Sequence, residues 1–389
     1  MRASGMRKVN GALLLGIIRD QGPVSRAELA RLSGLTKPTV SSQVADLMAR
    51  GVVREEGAGA PDERGGKPPK LLRFHAGAGL LAAAEINSTL LRVWLADLDG
   101  KVLDSSIAPT RPETGADGVL DTLSGLLRET LARGRDRKQK LVAMAVAAPG
   151  RVDAEAGVVR EAGNVFHWRD VAVLAKLERA FRVPVAVDND VNLAALGEMH
   201  AGLAQGIRNF ALIRLATGVG AGLVLDGRLY QGTHWAAGEI GHMVFGRFSG
   251  AEEERERGSL ELAIGSDRVR ERVKQARLEP PGAAQDLAAL LREAVGRNDP
   301  VAQEVVEDVA AQLSLAVADL AAAIDPELIV LAGEMFDLVA DPIRETVERV
   351  IPWPLRIERS ALGEDAALMG AIGVARGVAH GLLCDLDRG

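Results

Sequence analysis

The 389-residue sequence predicts an α/β protein in two parts, an N-terminal winged helix-turn-helix and a larger body of two lobes. Three observations predict this architecture. Short capped helices near the N-terminus precede a hairpin-like pattern. From about residue 79, apolar strand-like runs alternate with helical patterns, which is typical of α/β layers. Since roughly 310 residues exceed one comfortable hydrophobic core, two lobes with a cleft between them are expected.

Charge separates the same two parts. Residues 1–74 carry 13 Lys and Arg against 7 Asp and Glu, a net charge of +6, whereas the remainder carries 34 against 46, a net charge of −12. A basic head on an acidic body is typical of a nucleic-acid-binding module joined to another domain. The single cysteine, Cys384, excludes an internal disulfide and a zinc site built on cysteines, and it fits a cytoplasmic location.

Apolar spacing and cap residues predict the helices of the head, over residues 7–20, 26–33 and from Thr36 to about Ala49. Gly22-Pro23 ends the first helix. Ser25 and Glu28 form a capping box for the second, since each side chain can satisfy a free backbone amide. Thr36 is the expected N-cap of the third.

Two strand-like segments, residues 52–55 and 71–74, predict a β-hairpin wing around a Gly/Pro-rich tip whose basic residues suit a minor groove. The third helix presents hydroxyls, an amide and a cation, which suit a major groove. The expected DNA contacts are Arg26, Lys37, Thr39, Ser41, Ser42, Gln43, Arg64 and Lys67. A helical bundle used for protein contact is the alternative interpretation.

The body alternates strands with helices. Strands are predicted over residues 80–86, 91–98, 141–147, 183–187, 210–215, 221–225 and 328–331. Helices are predicted over residues 118–133, 171–181, 193–204, 285–297, 300–324 and 368–383.

Three motifs of the body carry polar chemistry. The segment Asp188-Asn189-Asp190-Val191-Asn192 lies at the end of a buried strand, where α/β sheets bind ligands, although N-capping is the simpler explanation. The glycines of segment 216–222 can present amides to a phosphate, or serve packing alone. Glu239 and His242 can bind vicinal hydroxyls, share a metal, or belong to an ordinary surface.

Taken in chain order, these residues resemble the ROK family of repressors, open reading frames and sugar kinases, over nearly the whole chain. Segment 215–223, Gly232, Gly238 and Gly241-His242 look like the family signature. The head and the Gly66-Lys67-Pro68-Pro69 that follows are similar to the branch of xylose and N-acetylglucosamine repressors. The resemblance implies two actin-like (ribonuclease-H-like) lobes, with residues 1–76 as the DNA-binding domain and residues 77–389 as the sugar-sensing domain.

The resemblance also implies an effector site. Asn189 and Asp190 match the sugar-binding pair of the family, whose Asp is the general base in the kinases. The other implied sugar-binding positions are Gly150, Asn164, Glu239, His242 and Glu261. Clustered carboxylate, amide and imidazole groups suit sugar hydroxyls, because each hydroxyl both donates and accepts.

Two departures from the family pattern bear on catalysis and metal binding. Family kinases open their core with Asp-x-Gly-Gly-Thr, but this chain has Glu85-Ile86-Asn87-Ser88-Thr89, which should not support phosphoryl transfer. Many members bind zinc through a His and three following Cys, but residues 246–262 contain no cysteine and Ser259 stands where the last would be. We therefore expect no metal and no cofactor, a less constrained His242, and a solvated, mobile loop over residues 251–257.

The sequence thus predicts a cytoplasmic transcription regulator, most simply a repressor, that is not an enzyme. Its expected partners are an inverted-repeat DNA operator and a sugar or sugar-phosphate effector in the inter-lobe cleft. The expected assembly is a homodimer or homotetramer, with no membrane partner. Two alternatives stay open: a sugar kinase that has gained a DNA-binding head, and a regulator that responds to a non-sugar ligand or to none.

Overall fold

The computed structural model describes residues 3–58, 68–134, 139–163, 167–246, 248–276, 278, 287–333 and 335–384. The head consists of α1 (Ala3–Gln21), β1 (Val24–Ser25), α2 (Arg26–Ser33), α3 (Lys37–Ala49), β2 (Val53–Ala58) and β3 (Lys70–Phe74). Its strands form an antiparallel sheet in the order β1-β3-β2.

The predicted caps define the helices of the head. Ser25 Oγ accepts a hydrogen bond from the Glu28 amide at 3.2 Å, and Thr36 Oγ1 accepts one from the Thr39 amide at 3.4 Å. Gly34 follows α2 in the left-handed conformation, with φ of 69°. The predicted spans of α2 and α3 are confirmed within a residue. The cap residues and the buried positions, among them Leu29 and Val40, indicate the same helix boundaries.

The body contains two five-stranded sheets. The first consists of β4 (Leu80–Ile86), β5 (Leu90–Asp97), β6 (Val102–Pro109), β7 (Leu141–Ala148) and β11 (Val185–Asn189), in the order β11-β7-β4-β5-β6. The second consists of β12 (Phe210–Leu215), β13 (Val219–Leu225), β14 (Arg228–Leu229), β15 (Leu328–Ala332) and β16 (Arg356–Arg359), in the order β14-β13-β12-β15-β16.

The two large sheets share one topology. In each, an antiparallel meander of three strands is extended by two parallel strands on the side of the first. Each sheet therefore forms the centre of one lobe, as the sequence predicts. A smaller antiparallel sheet, β8 (Arg151–Asp153), β9 (Val158–Ala162) and β10 (Trp168–Val171), extends the first lobe and was not predicted.

Ten helices of the body are described: α4 (Gly115–Gly134), α5 (Val173–Phe181), α6 (Asp190–Ala201), α7 (Glu252–Arg257), α8 (Ser259–Ile264), α9 (Ser266–Gln275), α10 (Leu287–Gly296), α11 (Pro300–Ile324), α12 (Phe336–Val350) and α13 (Ala366–Leu383). The prediction of a loop over residues 251–257 is wrong, because helix α7 occupies most of this segment. Strands β6 and β16 and helices α8, α9 and α12 were also not predicted.

Helix α13 connects the body to the head. Its Gly370 lies so close to α6 that a Cβ there would be 1.8 Å from the carbonyl oxygen of Leu193, so glycine is what permits the crossing. At its other end, the Leu383 carbonyl accepts a hydrogen bond from Arg50 of the head at 3.1 Å, and His380 Nε2 lies 3.2 Å from the Ala12 carbonyl oxygen. Among the described residues, segment Gly363–Leu383 alone is long and apolar enough to cross a membrane, and it packs as a core helix.

Candidate effector site and DNA-binding surface

The Asp-Asn-Asp-Val-Asn segment joins β11 to α6. Asn189 is the N-cap, since its Oδ1 accepts hydrogen bonds from the amides of Val191 at 2.8 Å and Asn192 at 3.1 Å. Its Nδ2 donates to the carbonyl oxygen of Gly150 at 2.8 Å. A single amide therefore starts the helix three residues earlier than predicted and fixes the turn that follows β7.

Asp188 and Asn192 lie on the inner side of this segment. Asp188 Oδ1 accepts a hydrogen bond from Asn192 Nδ2 at 3.0 Å, and its Oδ2 accepts one from Gln231 at 2.7 Å. Burial raises the pKa of Asp188, against the effect of these two donors. Both carboxylate oxygens of Asp188 are therefore hydrogen-bonded within the protein, and Asp188 positions neighbouring side chains. Asp190 is the carboxylate that faces the second lobe.

Asp190 is paired with a cation of the second lobe. Arg214 of β12 donates from Nη1 to Asp190 Oδ2 at 2.9 Å, and its Nη2 lies 3.6 Å from Oε1 of Glu85 at the end of β4. Glu85 is 1% exposed, and its Oε2 accepts a hydrogen bond from Arg92 at 3.2 Å. Arg92 in turn pairs with Asp365, next to the start of α13. Charged side chains thus link both lobes to the helix that reaches the head.

The segment with Glu239 and His242 packs on the glycine-rich hairpin of β12 and β13. Gly238 has φ of 88°, and a Cβ there would lie 1.8 Å from the carbonyl oxygen of Ala221. The Ala221 amide donates to the Gly238 carbonyl at 2.7 Å. The backbone of residue 238 therefore needs glycine, and a short 3-10 turn, Ile240–His242, follows it. His242 is exposed on this turn.

Glu239 is a carboxyl whose pKa is raised in the site. Desolvation raises its pKa to about 7, and the negative charges of Glu261 and Asp190 add to that effect. The Glu239 side chain is exposed, so solvent screens part of both effects. Glu239 can thus present a protonated or an ionised carboxyl near neutral pH.

Glu261 is buried at the start of α8. Its Oε2 accepts a hydrogen bond from the Val219 amide of the hairpin at 3.2 Å, and its Oε1 pairs with Arg257 at 3.2 Å. The glycines of the hairpin are needed for packing, because a Cβ at Gly222 would lie 2.7 Å from Cβ of Ala195 in α6. Glu261, the hairpin and α6 therefore form one tightly packed wall.

The predicted DNA-binding residues differ in exposure. Lys37, Ser41 and Ser42 are exposed along α3, and Thr39 is half-buried beside its cap. Gln43 differs from these residues, because its side chain is 3% exposed and lies against α1 near Gly11.

Arg26 is held within the head, since it pairs with Glu55 at 3.1 Å. Arg64, Lys67 and Asn164 lie outside the described residues.

Comparison with known proteins decides the family. Residues 81–378 match the ROK family, and residues 10–65 match the MarR family. The chain belongs to the ROK family. It is 28% identical to the xylose repressor of Bacillus spizizenii, with 94% of each chain covered. It is 31% identical to the glucokinase of Halalkalibacterium halodurans, over 74% of this chain and 92% of that one.

The fold extends over the whole chain of a solved ROK protein. A ROK family transcriptional regulator, described as a homologue of the E. coli MLC protein, superposes with a TM-score of 0.79. It covers 97% of this chain and 98% of its own at 24% identity, which supports the shared fold. The predicted winged helix-turn-helix followed by an actin-like ROK body is therefore confirmed.

The loop that departs from the ROK kinase pattern is closed on itself. Asn87 Oδ1 accepts hydrogen bonds from the amides of Thr89 at 3.0 Å and Leu90 at 2.7 Å. Ser88 Oγ lies 3.2 Å from Thr217 Oγ1 in the glycine-rich hairpin of the other lobe. These amides and hydroxyls therefore bond to the protein itself.

The partners of the site residues were not predicted from the sequence. Arg214, Arg92, Gln231 and Arg257 were not singled out, although each bonds to an acidic residue of the cleft. A cation at the penultimate position of the otherwise apolar strand Phe210–Leu215 was the one available signal. It was weak, because the sequence does not show which carboxylates an arginine will meet.

Proposed function

We propose that this ROK protein is a DNA-binding transcription repressor whose operator affinity is controlled by a sugar or sugar derivative. The observation that carries the proposal is the helix α3, which leaves Lys37, Ser41 and Ser42 exposed on a winged helix-turn-helix. Cationic and hydroxyl side chains on such a helix suit phosphates and base edges. The similarity to a xylose repressor over 94% of both chains supports the same function.

We propose that the effector binds between the lobes at Gly150, Asn189, Asp190, Glu239, His242 and Glu261. Asn164, which lies outside the described residues, remains a proposed contact by resemblance alone. Asp190 pairs with Arg214, so a hydroxylated ligand at this carboxylate competes with a bond between the lobes. An effector shifts the balance between lobe arrangements only through its different affinity for each. Changing that arrangement moves α13, which contacts Arg50 and Ala12 of the head.

We further propose that the chain does not phosphorylate sugars, although its relatives include a glucokinase. Asn87 occupies the amides of its own turn, and Arg214 occupies one oxygen of Asp190. Phosphoryl transfer depends on positioned donors and a positioned base, and both are otherwise engaged. Incubation with ATP and D-glucose or D-xylose should yield no sugar phosphate. Turnover that Asp190→Asn abolishes would reverse this assignment.

The test of regulation begins with selection of a DNA fragment by the full-length chain from random duplexes. Fluorescence anisotropy then measures affinity for that fragment with D-xylose, D-glucose, N-acetyl-D-glucosamine and glucose 6-phosphate. We expect one of these to weaken binding at least tenfold in the wild type and to leave the affinity of Asp190→Asn at that variant's own unliganded value. Failure to select any sequence would contradict DNA recognition, and an unchanged isotherm with every compound would contradict sugar control.

We also propose that the protein is cytoplasmic, that residues 1–76 and 77–389 are its two domains, and that it acts as a homodimer or homotetramer. Two heads are needed for an inverted repeat whose half-sites lie about one helical turn apart. Sedimentation of the full chain, with and without the selected DNA, tests the assembly. A monomer that binds a single half-site would contradict it.

A further inference from the structure

Helix α7 consists entirely of charged residues, one of which, Glu254, is a buried carboxylate. Glu254 is 9% exposed, whereas Glu252, Glu253 and Glu256 of the same helix are exposed. The carboxylate of Glu254 accepts hydrogen bonds from the Ser249 amide at 2.7 Å, from Ser249 Oγ, and from Ser259 Oγ at 2.5 Å. These donors lower the pKa of Glu254, so the carboxylate is ionised at neutral pH.

The two serines stand at opposite ends of α7. Ser249 lies in the segment that precedes the helix, and Ser259 is the first residue of α8. A single side chain therefore cross-links the chain before α7 to the chain after it. We call Ser249, Glu254 and Ser259 the carboxylate clamp.

The clamp lies against the proposed effector residues. Gly258 follows α7 with φ of 89°, and a Cβ there would lie 2.2 Å from the carbonyl oxygen of Gly241, the neighbour of His242. Glu261 is two residues beyond Ser259, and its Oε2 bonds to the Val219 amide. The interaction that holds the corner between α7 and α8 therefore also positions Glu261. The same corner packs against the turn that carries His242.

The residues here do not fit the zinc site of one His and three Cys that the resemblance implied. The segment supplies hydroxyls and one carboxylate, and Cys384 is the only cysteine of the chain. No three His, Cys, Asp or Glu side chains converge as a metal site in the part of the chain that the structure describes. A carboxylate that already accepts three hydrogen bonds is stabilised by donors and needs no cation.

We propose that Glu254 is a positioning residue, and that the carboxylate clamp holds the corner carrying Glu261 beside His242 by hydrogen bonds, without a metal cross-link. The relevance of this corner to the effector rests on the proposed function. The clamp itself does not, and it is tested without any sugar, so the two ideas fail separately.

The experiment is hydrogen exchange of the full-length protein, followed by mass spectrometry of peptides that cover residues 243–265. Ser259→Ala removes one clamp donor, and Ser259→Thr keeps it. We expect about tenfold faster exchange over residues 258–265 in Ser259→Ala and Glu254→Ala, and near wild-type exchange in Ser259→Thr. Glu256→Ala, an exposed glutamate of the same helix, is the matched control and should leave exchange unchanged.

Three results would overturn the proposal. If residues 258–265 are as well protected in Ser259→Ala as in the wild type, the clamp does not hold this corner. Equal loss in Ser259→Thr would make the effect one of packing. Faster exchange of the wild type after treatment with EDTA would assign the cross-link to a metal. Because Ser259→Ala is a small change, the Ser259 variants still test the proposal if Glu254→Ala does not fold.

Discussion

The head and the cleft expose their functional side chains in opposite ways. On α3, Lys37, Ser41 and Ser42 reach solvent from a helix whose own caps hold it in place. In the cleft, Asn189, Asp190 and Glu261 are already bonded to Gly150, Arg214 and Val219, each from a distant part of the chain. The head therefore offers groups that a partner can contact directly, whereas an effector at these three cleft residues must replace contacts that the body makes with itself.

This difference predicts two kinds of mutational effect. A change on the exposed face of α3 alters affinity for DNA and leaves stability almost untouched, as surface changes usually do. A change in the cleft alters stability and ligand response together, because the same bonds serve both. Each of the following substitutions tests one side of that contrast.

The largest effect is expected from Gly238→Ala in the cleft. The φ of 88° and the 1.8 Å approach to the Ala221 carbonyl oxygen combine backbone strain with overpacking, which together cost about 4 kcal/mol. Urea unfolding monitored by circular dichroism measures the loss. Gly227→Ala is the control, because its φ is 75° but nothing lies within 4 Å of its Cβ, so only strain of about 1 kcal/mol is expected. Equal losses in both variants would show that the close contact has no energetic role.

Arg214→Met should destabilise the protein by about 3 kcal/mol, because it leaves Asp190 and the buried Glu85 with one cation fewer. Since burial already raises the pKa of Glu85, protonation relieves the unpaired charge. The loss should therefore be smaller at pH 5 than at pH 8. Arg208→Met removes an exposed pair with Asp226 in the same lobe and should cost less than about 0.5 kcal/mol. A pH-independent loss would contradict the role of Glu85.

The head and the body also differ in how much of their structure the sequence could predict. Capping residues and alternating apolar runs are local signals, so α2, α3 and α11 were predicted within a residue. The Asp188–Asn192 segment was found because its polar density exceeds what one helix cap needs. Arg214 was not found, because its partners are 24 and 129 residues away and depend on how the two sheets face each other. Helix α7 was missed since its one buried residue, Glu254, is charged and gives no apolar pattern.

Lys37→Ala tests the exposed side of the contrast. We expect about tenfold weaker binding to the selected DNA, a salt dependence reduced by about one counterion, and unchanged stability. Arg31→Ala on α2, whose side chain is 72% exposed and pairs with Glu28, is the control for loss of a positive charge in the head. An equal loss of affinity in both variants would mean that net charge, and not the position on α3, controls binding.

Glu239→Gln should change the pH dependence of stability. Because the pKa of Glu239 is raised from its usual value to about 7 in the folded state, ionisation opposes folding, and this contribution grows as pH rises from about 4.5 through 7. After allowance for solvent contact, we expect about 1 kcal/mol less decline between pH 5 and pH 8 in the variant than in the wild type. Urea unfolding at both pH values measures the difference. Parallel pH profiles would show that Glu239 titrates normally.

The smallest effect is expected from Gln43→Met, and it decides whether burial outweighs sequence pattern in the head. Gln43 lies among the hydroxyl residues of α3, but its side chain is 3% exposed and its Oε1 has no hydrogen-bond partner. A base contact contributes about 1–3 kcal/mol, so replacing a glutamine that contacts a base would clearly weaken DNA binding. We instead expect affinity for the selected DNA to stay within about twofold, with stability unchanged or higher by up to about 1 kcal/mol, because an unsatisfied buried acceptor is removed. Ser42→Met, at the exposed neighbouring position, should weaken binding in the same anisotropy assay. Loss of affinity in Gln43→Met without loss of stability would mean that α3 turns or opens when it meets DNA.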